Sequence, residues 1–265
     1  MRYIIQLLIM TLFFSPFAWA QTAEEKGLEI AREAENRDTG WGDSRADMKM
    51  TLFNRQGDSS IRQIRSMSLE VSGDGDKSLT IFDKPLDIKG TAFLTFTHTV
   101  GNDDQWLYLP ALKRVKRISS RNKSGPFMGS EFAYEDLSSQ EVEKYTYRYL
   151  RSEACGELNC FVVERYPTDK FSGYTRQIGW IDDAEYRTQK LDFYDRKNAL
   201  LKTLTLSDYR QFVNQYWRAH TLEMVNHQTN KRTVLKFSNY QLKLNHPPQF
   251  DITTYRLYIC RQTSV

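Results

Sequence analysis

The chain has 265 residues, of which 40% are hydrophobic, 13% aromatic and 26% charged, with 13 glycines and a formal net charge of +4. Such a mild positive balance does not carry the clustered basic face of a nucleic-acid binder. The aromatic content fits β structure better than disorder.

Residues 1–20 read as a secretory signal peptide. Arg2 supplies the charge, an apolar run extends from Tyr3 to Phe14, Pro16 breaks it, and Ala18-Trp19-Ala20 has the small-x-small form of a cleavage site. The run is too short for a membrane span. No cysteine stands at the cut, so the expected mature protein, residues 21–265, is soluble, exported to a periplasm and not itself a lipoprotein. Arg2 is the only charged residue removed, leaving 36 basic against 33 acidic residues, or +3. A mature chain of this size is long enough for a sizeable core and is common for one all-β domain.

A helix is expected first. Thr22 and Glu25 have capping-box spacing, and Ala23, Gly27, Ile30, Ala31 and Ala34 recur at intervals of three and four until Gly40-Trp41-Gly42-Asp43. The period then becomes two: Ala46, Met48, Met50 and Leu52 alternate with polar residues, and Met67, Leu69 and Val71 repeat the pattern. Further strands are expected at 79–82, 91–99, 105–109, 115–119, 145–151, 160–166, 174–181, 188–194, 200–206, 216–225 and 233–241. Turn residues separate them, among them Asn102-Asp103, Asp195-Arg196-Lys197-Asn198 and His227-Gln228-Thr229-Asn230. Many short strands at regular spacing predict an antiparallel sheet curled into a barrel or sandwich. No linker or second composition zone interrupts them, so one domain is the simplest organisation.

Cys155 and Cys160 flank Gly156-Glu157-Leu158-Asn159 and are expected to bridge a hairpin end in an oxidising compartment. Cys260 is then odd, left free or paired between chains. No histidine stands near the pair, which argues against metal, and no cofactor is expected. Enzyme readings find little support. His98, His220, His227 and His246 lack H-E-x-x-H spacing, Gly125 to Ser130 has neither nucleophile-elbow nor phosphate-loop order, and Asp74-Gly75-Asp76 lacks the distal Glu of a calcium loop. A hydrolase acting on envelope lipids would need a catalytic set that the sequence does not offer.

Residues 90–137 are rich in aromatics and poor in chemistry. Trp106 and Tyr108 alternate with Leu107 and Leu109, and Phe93 sits beside Leu94 and Phe96. Strands apolar on both faces are covered on both sides. In a curled sheet the concave side must be filled by side chains, a helix or a ligand. From pattern alone an ordinary filled core is the simpler reading. The runs Lys89-Gly90-Thr91-Ala92-Phe93-Leu94, Trp106-Leu107-Tyr108-Leu109-Pro110-Ala111-Leu112-Lys113-Arg114-Val115-Lys116-Arg117-Ile118 and Phe127-Met128-Gly129-Ser130-Glu131-Phe132-Ala133-Tyr134-Glu135-Asp136-Leu137 resemble the outer-membrane lipoprotein-sorting family of LolA-like periplasmic proteins. Tyr174, Trp180-Ile181-Asp182, Tyr194-Asp195 and Phe250 extend the resemblance over nearly the whole mature chain.

The resemblance implies a strongly curved antiparallel sheet forming an incomplete β-barrel, with helices covering its open side and an apolar hollow between. It implies a carrier of lipid or lipoprotein acyl chains, with an RND-type inner-membrane exporter as a partner. The alternative is a non-catalytic adaptor of a transporter or envelope complex without lipid cargo. The residues expected to line or gate the hollow are Met48, Met50, Phe93, Phe96, Trp106, Tyr108, Phe127, Met128 and Phe132. Gly125 to Ser130 reads either as a movable flap whose Phe127 and Met128 plug an empty hollow, or as a static loop finishing the core. Lys113, Arg114, Lys116 and Arg117 read either as a contact for lipid head groups or an acidic partner, or as a solvated hairpin end.

Overall fold

The computed structural model describes residues 21–243; the expected leader, Phe250 and Cys260 lie outside the described residues. Helix α1 spans Ala23–Arg37. Thr22 Oγ1 accepts a hydrogen bond from Glu25 N at 3.1 Å, and the Glu25 carboxylate accepts from Thr22 N at 2.9 Å. This capping box satisfies two of the amide donors a helix start leaves open. Glu24 and Glu25 place negative charge where the helix dipole favours it. Gly27 lets the helix approach another backbone: a Cβ there would stand 2.8 Å from Tyr149 N.

Thirteen strands follow: β1 Asp43–Phe53, β2 Ser59–Leu69, β3 Lys77–Lys84, β4 Ala92–Phe96, β5 Asp104–Leu109, β6 Arg114–Ile118, β7 Tyr145–Cys155, β8 Leu158–Pro167, β9 Tyr174–Asp182, β10 Thr188–Asp195, β11 Leu200–Phe212, β12 Tyr216–Asn226 and β13 Lys231–Leu242. They form one sheet in the order β6-β5-β4-β3-β2-β1-β13-β12-β11-β10-β9-β8-β7. Every neighbouring pair is antiparallel, including β1 with β13. The ends β6 and β7 do not pair, so the sheet stays open. One buried cluster draws Met48 and Met50 from β1, Phe93 from β4, Phe193 from β10 and Met224 from β12. Strands so far apart in the sheet share a core only because the sheet curls.

Two expectations need correction. The strand expected at Met67–Val71 is Ser59–Leu69, and Val71 lies beyond its end. Ser59, Ser60, Arg62, Gln63 and Arg65 hide the strand from a hydrophobic pattern, yet β1 pairs with it residue for residue, Met48 opposite Ile64 and Met50 opposite Arg62. Several helices were expected over the open side. Among the described residues there is one α-helix, packed on β7 and β8. The rest of the cover comes from residues 119–144, which connect the two open edges and contain four short 3-10 turns, at Ser120–Asn122, Phe127–Gly129, Tyr134–Leu137 and Val142–Lys144.

Candidate functional site

The connection from β6 to β7 crosses the inside of the curl as a strap. Phe127 is its anchor. Its ring centroid lies 5.9 Å from Phe82, 5.1 Å from Phe93 and 5.7 Å from Tyr134, and it is 1% exposed. Burying a side chain of this kind contributes about 1.5–3 kcal/mol. Polar bonds reach from the strap to strands on both halves of the sheet. Arg62 on β2 donates to Met128 O, Gln105 on β5 donates to Tyr134 O at 3.0 Å, and Glu131 N donates to Thr233 Oγ1 on β13 at 3.0 Å. Asn226 on β12 donates to the Glu131 carboxylate at 2.7 Å.

A further fastening is ionic. Lys202 Nζ on β11 stands 2.6 Å from Asp136 Oδ2, with the side chains 4% and 5% exposed. Lys202 also donates to Glu131 O at 3.0 Å. Asp136 accepts from Tyr174 OH at 2.8 Å and from Ala133 N at 2.6 Å. A charge pair held this far from water needs further hydrogen bonds, and here Asp136 accepts two and Lys202 donates one.

Beyond the strap the interior is hollow. A cavity of about 1370 Å³ lies between the strap, α1, the β2–β3 turn and the inner face of β7 to β12. This exceeds the roughly 300–1,000 Å³ of a typical small-molecule site. Strand parity builds its walls. Across the sheet Val163 faces Gly179, Gly179 faces Leu191, and Leu191 faces Leu204, so one row of one face is apolar. Ile181, Leu206 and Leu222 continue the wall, and Ala31 and Ala34 of α1 close it from above. At the strap end the next row is polar, with Tyr147 opposite Arg165 and Arg165 opposite Gln177. Asp38, Glu70 and Asp76 also line the hollow, and Asp76 N donates to Ser139 Oγ of the strap at 3.3 Å. Glu70 is held by Gly40 N and Gly42 N, and Asp76, pushed up to about 7 by burial and by nearby Glu141, Glu70 and Asp38, titrates near neutrality.

The residues singled out from sequence separate into three groups. Met48, Met50, Phe93 and Phe127 are buried in the packed core at one end of the curl, with Met128 partly buried against it. Phe132 belongs to that core and also lines the hollow. Phe96, Trp106 and Tyr108 are not brought to this side. They pack with Leu79, Ile81, Ala92 and Leu94 on the opposite face. Residues two apart share a face, so Phe96 follows Leu94 while Phe93 pairs with Leu107 on the inner side. Phe127 and Met128 plug the end of the curl near β3 and β4 and leave the space beside β7 to β12 open. The wall residues Val163, Ile181, Leu191, Leu204, Leu206 and Leu222 did not stand out in the sequence. Their one signal is that Val163 and Arg165, and likewise Gln177 and Ile181, share strand parity, which puts polar and apolar groups on the same inner face.

Lys113, Arg114, Lys116 and Arg117 are all exposed on edge strand β6 and its turn, and Arg117 pairs with Asp104. Charge on an open edge discourages pairing with another chain's strand. Cys155 and Cys160 form a disulfide with Cα atoms 5.8 Å apart, closing the β7–β8 hairpin.

A family model described as an uncharacterized protein matches residues 74–250. A solved domain from Vibrio parahaemolyticus, assigned to outer membrane lipoprotein sorting, is 60% identical, covers 88% of this chain and 99% of its own, and superposes with a TM-score of 0.85. A DUF1329 family protein from Desulfovibrio piger is 28% identical over 85% of this chain and 95% of its own, with a TM-score of 0.80. A LolA superfamily protein from Nitrosomonas europaea shares the fold at 18% identity, over 84% of this chain and 94% of its own, with a TM-score of 0.66. No curated protein matches the chain.

Proposed function

Because the chain belongs to the LolA-like family of outer-membrane lipoprotein-sorting proteins, we propose that it is a periplasmic carrier that takes the acyl chain of a lipid or lipoprotein into its hollow. The observation that carries this reading is the cavity of about 1370 Å³ with an apolar wall from Val163 to Leu222. Each methylene withdrawn from water contributes about 0.8 kcal/mol, so a chain of about fourteen gains about 11 kcal/mol. An acyl chain crosses an aqueous compartment only in such a shelter. The strap supports the reading in a different way from a flap. It stays fastened at Lys202 and Asp136 and keeps the sheet from collapsing into the hollow. The exposed basic edge at Lys113, Arg114 and Lys116 suits a docking contact with an inner-membrane partner such as an RND-type exporter or with anionic head groups.

Native mass spectrometry of protein purified from the periplasm tests the carrier reading. Adducts of lipid mass that disappear on solvent extraction are the expected result. A protein that is empty when purified and stays empty after incubation with membrane extract would leave only the adaptor role.

A further inference from the structure

The polar row at the strap end of the hollow is rich in donors that the protein does not use. Arg165 Nε donates to Gln177 Oε1 at 2.7 Å, and its guanidinium lies 4.5 Å from the centre of the Tyr145 ring. Those two contacts aim the group without neutralising it. Among the described residues no carboxylate forms an ion pair with Arg165, and its terminal nitrogens donate to no protein acceptor. The hydroxyls of Tyr145 and Tyr147 are likewise without a protein partner among the described residues. The two rings stand 6.3 Å apart, and both residues line the hollow beside Arg165. Burial holds both phenols above their ordinary range, so they remain donors at any physiological pH.

The nearby carboxylates are occupied. Asp136 is paired with Lys202, Glu135 accepts from Gly173 N and Ser172 Oγ, and Glu35 accepts from Val142 N. Glu143 is exposed. A guanidinium and two phenols facing one space, with Gln177 already spent on orienting the first, form a seat for negative charge.

We propose that this end of the hollow binds an anionic head group, with Arg165 as its charge partner and Tyr145 and Tyr147 as hydrogen-bond donors, so that the cargo is an anionic amphiphile seated with its head here and its tail along Val163, Leu191 and Leu204. The inference rests on the carrier reading and adds the chemistry and the orientation of the cargo. The head's charge is a carboxylate or a phosphate, as in a fatty acid or a lysophosphatidic acid.

The test uses delipidated full-length mature protein and three probes: palmitate, palmitoyl lysophosphatidate and methyl palmitate, which has the same tail without charge. The two anions are expected to bind about tenfold to a hundredfold more tightly than the ester, the range for one or two charge-assisted hydrogen bonds. Arg165→Gln should remove most of that advantage while changing ester binding far less, with Arg165→Lys restoring part of it. Tyr147→Phe, which keeps the ring, should weaken the anions alone by several-fold. The anion that loses more in Arg165→Gln identifies the head. Anion binding unaffected by Arg165→Gln and Tyr147→Phe overturns the seat and leaves the carrier intact. Binding of none of the three probes overturns the carrier and the seat together.

Discussion

Lys202→Met tests how the strap is held. The substitution keeps the length and apolar stem of the side chain and removes its charge. In the native protein Lys202 Nζ satisfies Asp136 Oδ2 at 2.6 Å and Glu131 O at 3.0 Å, with both ionic side chains at or below 5% exposure. After substitution Asp136 keeps two donors, Tyr174 OH and Ala133 N, but no cation, and Glu131 O loses this donor. Stranding one member of a buried pair costs about 3–5 kcal/mol. For a domain of this size each kcal/mol moves the thermal midpoint by about 2–4 °C, so a fall of about 6–20 °C is expected. Circular dichroism melts of the single variants Lys202→Met and Asp136→Leu and of the double variant form the cycle. The double variant should recover much of the loss, because removing both charges leaves no bare ion. A single-variant cost below about 1 kcal/mol, in the range of surface pairs, would refute the idea that this pair fastens the strap.

Gly27→Ala should destabilise by about 1–3 kcal/mol in urea unfolding, since the added carbon meets the β7 backbone at 2.8–2.9 Å and backbone cannot turn aside; a neutral result would mean that α1 is not seated on β7. The rim of the sheet should make stability fall as pH rises through neutrality. Asp76 has its folded pKa raised from 3.8 to about 7, so its protonated form favours folding and a penalty grows from near pH 4 to above pH 7. His98, raised by hydrogen bonds to Asp74 and Asp104, contributes stability that is full below 6.5 and lost as pH climbs through its higher folded value. Asp76→Asn should raise the melting temperature at pH 8 more than at pH 5, and an equal change at both would refute the assignment. Asp74, held at about 2 mainly by His98, contributes stability present above 3.8 and lost as pH falls toward 2, so Asp74→Asn should cost stability at pH 6 and almost none at pH 2, as read by chemical denaturation. Reversing Lys113, Arg114 and Lys116 to Glu should leave the melting curve in place and abolish sedimentation with anionic vesicles at low salt; retained sedimentation removes the docking role of this edge.

The positions of the strands were legible because alternation and turn residues are local signals. Runs such as Thr188–Tyr194 and Tyr216–Val225 correspond closely to β10 and β12, and Thr22 with Glu25 marks the start of α1 by bonds within one turn. The Cys155–Cys160 bridge was legible for the same reason, since its partners flank one hairpin. What the sequence could not decide was which parity of each strand turns inward. Phe93 and Phe96 are equally greasy, and only the direction of the curl sends Phe93 against Phe127 and Phe96 against Trp106. The wall of the hollow escaped notice for a related reason. Val163, Leu191, Leu204 and Leu222 come from four different strands and read as ordinary core, until pairing sets them beside Arg165 in adjacent rows and the strap stops short of covering them. Local chemistry dictates the strands; enclosed space depends on how distant strands bend around a segment that fills only part of the curl.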